Sequence, residues 1–215
     1  MPITTALLPT LLQAIADVIE ANAEEITALD QAIGDGDHVY NLQRGLNALS
    51  LESNTLTQLD WVAAWQKIGM TLMTTVGGAS GSLYGTLFVK MSKAAAGQPI
   101  TLETFADIFT QGVEAMKQRG KADIGEKTML DVLIPVAISL QQATAQSLSV
   151  SAALQAVTHV SLTGVEATRE LLATKGRASF LGERSRGHID AGAKTAQLMI
   201  NAIATVITEQ LASPA

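Results

Sequence analysis

The chain contains no cysteine, which excludes disulfides and thiolate-bound zinc and leaves oxygen and imidazole as ligands for any metal. Aromatic residues amount to only 4%. With alanine, leucine and threonine dominant, the balance favours helix over sandwich or barrel. Basic residues are few: 14 Lys and Arg stand against 20 Asp and Glu, a formal charge of −6. That excludes the broad basic face a nucleic-acid partner requires. No apolar run reaches the length of roughly 18 residues that a membrane-spanning helix needs. The start, "MPITTALLPTLLQ", lacks the basic residues and small-residue cleavage site of a signal peptide, so a cytoplasmic location is expected.

What is present is core material. Hydrophobic residues are 47% of 215 positions and charged ones 16%, enough for one packed domain spanning 1–215. The apolar period is helical almost everywhere. Leu8, Leu11, Leu12, Ile15, Val18, Ile19, Ile26 and Leu29 predict one long helix from Leu7 to Leu29. Val39, Leu42, Leu46 and Leu49 predict a second, Leu59 to Val76 a third, and a fourth follows the glycines at 77, 78 and 81. "TLETFADIFTQGVEAMKQR" gives a fifth, with Thr101 and Thr104 as N-cap candidates. A sixth contains Pro135, where a kink is expected. The seventh covers 149–173 and the last runs from about Asp190 to Leu211. "TLFVKMS" could be a strand in isolation, but its helical surroundings argue otherwise. The expectation is an all-α chain of about eight helices. Glycine-rich polar loops interrupt it at 30–41, 77–82, 120–129 and 176–192, and loops at one end of a bundle are where a site is built.

The first loop places Asp30, Asp35 and Asp37 beside His38. Asp and Gly are ordinary turn residues, yet carboxylates at a helix C-terminus are disfavoured by the macrodipole and by one another. A hard divalent cation removes both penalties. The EF-hand pattern fails, because Val39 and Tyr40 occupy positions that need a ligand and a glycine. Magnesium, held by a few carboxylates and a phosphate, suits the spacing better. "GGASGSLYGT" (77–86) reads either as close helix packing or as an anion cradle of backbone N–H groups at a helix start.

"GKADIGEKTM" fails as a Walker A loop, because Glu126 follows Gly125 where lysine is required; Asp123, Lys127 and Thr128 could still face a ligand. Lys175, Arg177, Arg184 and Arg186 cluster in the fourth loop. They suit a polyphosphate or an acidic partner surface, or form a plain solvated loop. Asp190 stands where it can cap the last helix. Ser80 lacks the Gly-x-Ser-x-Gly context of a nucleophile elbow.

Four stretches, "IGDGDH" with Asn41, "GMTLMTTVGGASGSLYGT", "RGKADIGEKTMLDVLIPV" and "KGRASFLGERSRGHIDAGA", resemble the nucleotide-binding L subunits of dihydroxyacetone kinase, in order and over essentially the whole chain. The resemblance implies an eight-helix antiparallel barrel with the nucleotide in loops at one end. It implies ADP or ATP with two magnesium ions held by Asp30, Asp35 and Asp37. By the same resemblance His38 and Asn41 contact the nucleotide, and Gly78, Ala79, Ser80 and Gly81 cradle its phosphates. Gly120, Thr128 and Met129 border the adenosine, and Arg177, Asp190, Ala191 and Gly192 close the site. No covalent catalytic residue falls on this chain, and the metal site and Arg177 supply the electrostatics. The family implies a K subunit that binds dihydroxyacetone and a phosphohistidine M subunit that rephosphorylates ADP in place. Self-association is compatible with this scheme. The competing expectations are an ADP-sensing adaptor for a transcription regulator, or a kinase subunit for another ketose. Two positions depart from the family pattern: Val39 replaces a common glycine and Ala191 the usual proline.

Overall fold

The protein is described by a computed structural model covering residues 3–212, and the extreme ends of the expected 1–215 span lie outside them. Among the described residues every regular element is helical. The long first helix is in fact two, α1 (Leu8–Ala21) and α2 (Ala23–Ile33). Asn22 breaks it: its side-chain amide donates to the Val18 carbonyl at 2.7 Å. Its backbone N–H turns to Glu20 instead. This local competition is what keeps Asn out of helix interiors, and an apolar period cannot reveal it.

The remaining elements are α3 (His38–Leu51), the single turn α4 (Ser53–Leu56), α5 (Trp61–Thr75), α6 (Gly78–Ala95), α7 (Leu102–Gly120), α8 (Leu130–Ala145), α9 (Val150–Ala167) and α10 (Ala191–Ala212). "TLFVKMS" lies inside α6. Asp60 caps α5 by accepting from the Ala63 N–H at 2.8 Å. At α7, Thr101 is the N-cap and Thr104 its reciprocal partner in a capping box. The seventh helix stops at Ala167, six residues short of its expected end at 173. There the Thr168 hydroxyl donates to the Val165 carbonyl at 2.6 Å. α8 runs through Pro135 as one element.

The helices pack in the order α1, α3, α5, α6, α7, α8, α9, α10, and α10 returns to α1. A ring of this kind needs close backbone approach, and glycines supply it. A Cβ on Gly69 of α5 would stand 2.9 Å from the Gly85 carbonyl of α6, and one on Gly85 would stand 2.8 Å from the Gly69 carbonyl. Gly164 of α9 presses on α8, where any Cβ would collide with the Asp131 carbonyl. That carbonyl is the one Pro135, lacking an N–H, cannot serve.

Gly164→Ala separates two opposed effects. Helix propensity alone would favour alanine by about 1 kcal/mol, whereas overpacking against backbone costs about 1–3 kcal/mol. We expect net destabilisation, read as a lower urea midpoint at unchanged m-value. A raised midpoint would show that α8 and α9 do not approach so closely.

Candidate functional site

All four expected loops meet at one end of the ring, around a cleft of about 550 Å3. The chain's alternation explains why. The first turns of α3, α6, α8 and α10 all line it, through His38, Ala79 and Ser80, Leu130, and Ala191 and Gly192. Four helix N-termini therefore turn the positive ends of their dipoles to one space. α6 is the most open of them: its N-cap is Gly77 and no side chain caps it, whereas Asp30, Thr128 and Asp190 accept from N–H groups of His38, Leu130 and Ala193 at the starts of α3, α8 and α10. A groove of about 470 Å3 between α7 and α8 contains none of the expected site residues.

Against these positive ends stands the C-terminal end of α2. Asp30, Asp35 and Asp37 each offer a carboxylate oxygen, all within 4.8 Å of one another. Two like charges at about 4 Å repel by roughly 1 kcal/mol in water and about 4 kcal/mol at a protein surface. The Arg177 guanidinium binds Asp35 at 2.8 Å, but it is largely exposed, and such pairs contribute about 0–1 kcal/mol. That falls short of three crowded carboxylates, whereas the all-oxygen set fits a hard divalent cation. Asp30 also accepts from the His38 backbone N–H at 3.1 Å. The His38 Nε2 lies 2.9 Å from the Thr195 hydroxyl. Burial pulls the His38 pKa down, against the pull of Asp30 and Asp37.

Gly120, Thr128, Met129, Arg177 and Asp190 also line the cleft. Asn41, Gly78 and Gly81 do not. Asn41 is buried, and its side-chain oxygen accepts from Arg44 at 3.3 Å. Gly81 packs under the loop, where a Cβ would collide with the Val76 carbonyl. Val39 points away from the cleft into a cluster with Ile19, Ile26, Leu42, Leu46 and Leu198, and Ala191 belongs to that same cluster. The bulk at Val39 is thus absorbed by the core.

Two cleft-lining side chains, Arg119 and Leu83, and one carboxylate outside the lining, Asp131, escape the sequence patterns. Arg119 ends α7 and donates to the Ser82 hydroxyl at 2.8 Å; in sequence it reads as ordinary basic decoration of a last turn. Leu83, on α6, reads only as core. Asp131, 3% exposed, accepts from the Gly125 and Thr128 N–H groups at 2.5 and 2.7 Å and so shapes the loop before α8. A lone carboxylate inside the apolar run "TMLDVLIPV" was the available signal.

The sequence matches the DAK2 domain model over residues 32–205. The chain belongs to the DAK2 family. It is 40% identical to the ADP-binding subunit DhaL of the PEP-dependent dihydroxyacetone kinase of Escherichia coli, over 90% of this chain and 92% of that one. It is 43% identical to the corresponding subunit of kinase 1 of Listeria innocua, over 86% and 88%. These relatives are subunits of a phosphotransferase. Among solved structures, the dihydroxyacetone kinase of C. freundii in complex with AMP-PNP and Mg2+ superposes with a TM-score of 0.71 at 25% identity. That match covers 95% of this chain and 34% of the larger one. Among the described residues no helix is long and apolar enough to cross a membrane.

Asp190 gives the site a pH signature. Burial raises its pKa to about 7, against the Ala193 N–H, which its carboxylate accepts at 2.7 Å. The unfolded chain holds this carboxyl near 3.8, so between about 4 and 7 the folded state binds the extra proton. By linkage, stability from this group is full below that window and lost as pH rises through it. Asp190→Asn keeps a competent cap. The difference in unfolding free energy between variant and wild type, measured without ligands, should grow in the variant's favour from pH 4 to 7. A pH-independent difference would refute the assignment.

Proposed function

We propose that the chain works as one nucleotide-binding domain that holds ADP or ATP with magnesium and passes a phosphoryl group to dihydroxyacetone on a separate K subunit. In this reading a phosphohistidine M subunit rephosphorylates the ADP in place. The observation that carries it is the juxtaposition of the Asp30, Asp35 and Asp37 carboxylates with the uncapped start of α6 across one cleft. A metal nucleotide needs both halves: oxygen ligands for the cation and N–H donors for the phosphates. The kinship with DhaL subunits points to the same ligands.

Asp30, Asp35 and Asp37 would hold magnesium, which when bound neutralises charge on the phosphate oxygens. The backbone N–H groups of Gly78, Ala79 and Ser80 bind phosphate at the α6 N-terminus, with Gly81 permitting the tight turn beneath them. His38 and Asn41 set the first turn of α3 against the phosphates. Gly120, Thr128 and Met129 border the adenosine, and Ala191 and Gly192 present the start of α10. Arg177 reaches over the carboxylates from the opposite rim and adds positive charge where phosphate charge accumulates. Phosphoryl transfer depends on this positioning and charge neutralisation and needs no covalent step on the chain.

Asp35→Ala and Asp37→Ala should each abolish magnesium-dependent ADP binding, a weakening beyond about 100-fold, or about 3 kcal/mol. Helicity should be unchanged. Calorimetric titration at full affinity in either variant would sink the metal assignment. The activity itself is read by mixing the chain with K subunit, phosphorylated M subunit and dihydroxyacetone and assaying dihydroxyacetone phosphate.

A further inference from the structure

The segment between α9 and α10 carries Arg177 and Asp190, two side chains of the cleft, yet it has little core of its own. Its 3-10 turns at Arg177–Ser185 are interrupted at Gly182, and Ser185 is their one buried residue. What holds the segment lies beneath it. Lys127 is 1% exposed and heads the fully buried side chains by size. Its ammonium donates to the Thr168 and His188 carbonyls and reaches the Arg169 carbonyl at 3.5 Å. Thr168 and Arg169 begin the segment and His188 ends it. The same two ends are joined by the Gly187 N–H to Arg169 at 2.8 Å and the Asp190 N–H to the Thr168 hydroxyl at 3.1 Å.

Three features set this lysine apart from a packing residue. Among the described residues no carboxylate lies within ion-pair distance of it, so its charge is spent on carbonyl oxygens at the end of α9, where a cation is favoured. Its backbone has φ 60°, a left-handed conformation that a lysine keeps only when its surroundings dictate it. Asp131 does so by binding the N–H groups of Gly125 and Thr128 on either side. Glu126, next to it, grips the same segment further along, through the Thr174 hydroxyl at 2.7 Å and the Lys175 ammonium at 3.2 Å.

We propose that Lys127 is a positioning residue for nucleotide binding: its buried ammonium ties together the two ends of the 168–190 segment and so sets Arg177 over the carboxylate cluster. The assignment rests on the nucleotide reading of the cleft. It makes the geometry of the segment, and not its charge alone, a determinant of affinity.

The test is a double-mutant cycle. Lys127→Met keeps the apolar stem and removes the charged head; Lys127→Arg keeps the charge. ADP affinity in magnesium is measured by calorimetry for wild type, Lys127→Met, Arg177→Gln and the double variant. Lys127→Met alone should weaken ADP about tenfold, and in the Arg177→Gln background its effect should fall below about twofold, because coupled residues are not additive. Lys127→Arg should recover most of the affinity. Hydrogen exchange without nucleotide should speed up in Lys127→Met over residues 174–187 while α5 to α7 keep their protection. Full additivity in the cycle, or unchanged exchange over 174–187, overturns the proposal. Should the methionine variant lose its helical signal, Lys127→Gln replaces it in the same cycle, and additivity or unchanged exchange there overturns the proposal equally. If wild type fails to bind ADP, the nucleotide reading falls, while the exchange measurement still tests the clamp.

Discussion

The structure depends on one electrostatic arrangement: four helix N-termini and one carboxylate-bearing helix C-terminus face a single cleft. Each helix N-terminus carries about half a positive charge, and α3, α6, α8 and α10 all bring theirs to the same cleft. The carboxylates of Asp30, Asp35 and Asp37 stand where these ends converge. Neither half is comfortable alone. Uncapped N–H groups want an anion, and crowded carboxylates want a cation. The guanidinium of Arg177 on Asp35 is a weak version of the second.

That arrangement is held by small residues at a distance from it. The interlock of Gly69 with Gly85, and the approach of Gly164 to Asp131, let the helix axes come close enough for the ring to close. Gly164 is also a link to the site, since the residue it presses on is the one whose carboxylate shapes the loop before α8. Packing on one side of α8 and loop geometry at its start thus meet in a single residue. The two departures from the family pattern, Val39 and Ala191, fall in one apolar cluster, which Val39 enters away from the cleft and Ala191 joins from the cleft wall. Val39 acts on how α3 packs, whereas Ala191 both packs α10 and faces the cleft.

Much of this was legible in the chain itself. The 3.6-residue period located nearly every helix, because an amphipathic stripe is a local property. The Thr101 N-cap was readable for the same reason, whereas Thr104, an N-cap candidate in sequence, proved to be its reciprocal partner. Asn22 was not, because the hydrogen bond to Val18 that splits α1 from α2 competes with the helix in a way no apolar count registers. Nor was the end of α9 at Ala167, since the residues after it are still periodic. They leave the helix where the Thr168 hydroxyl turns back on Val165 and Lys127 takes its carbonyl.

The sequence by itself determined the helical class, the exclusion of thiolate ligands and the identity of the four loops. Each of these follows from residue type and near-neighbour spacing. The tertiary structure alone decided that the loops share one cleft and that Asn41 and Gly81 support it from behind. It also decided that Lys127, which in sequence reads as one more loop cation, is buried among carbonyls from residues 41 to 61 positions away. The physical reason is that a charge finds its partners through space. Which carbonyls are left without a helical donor is settled only when the helix ends are brought together.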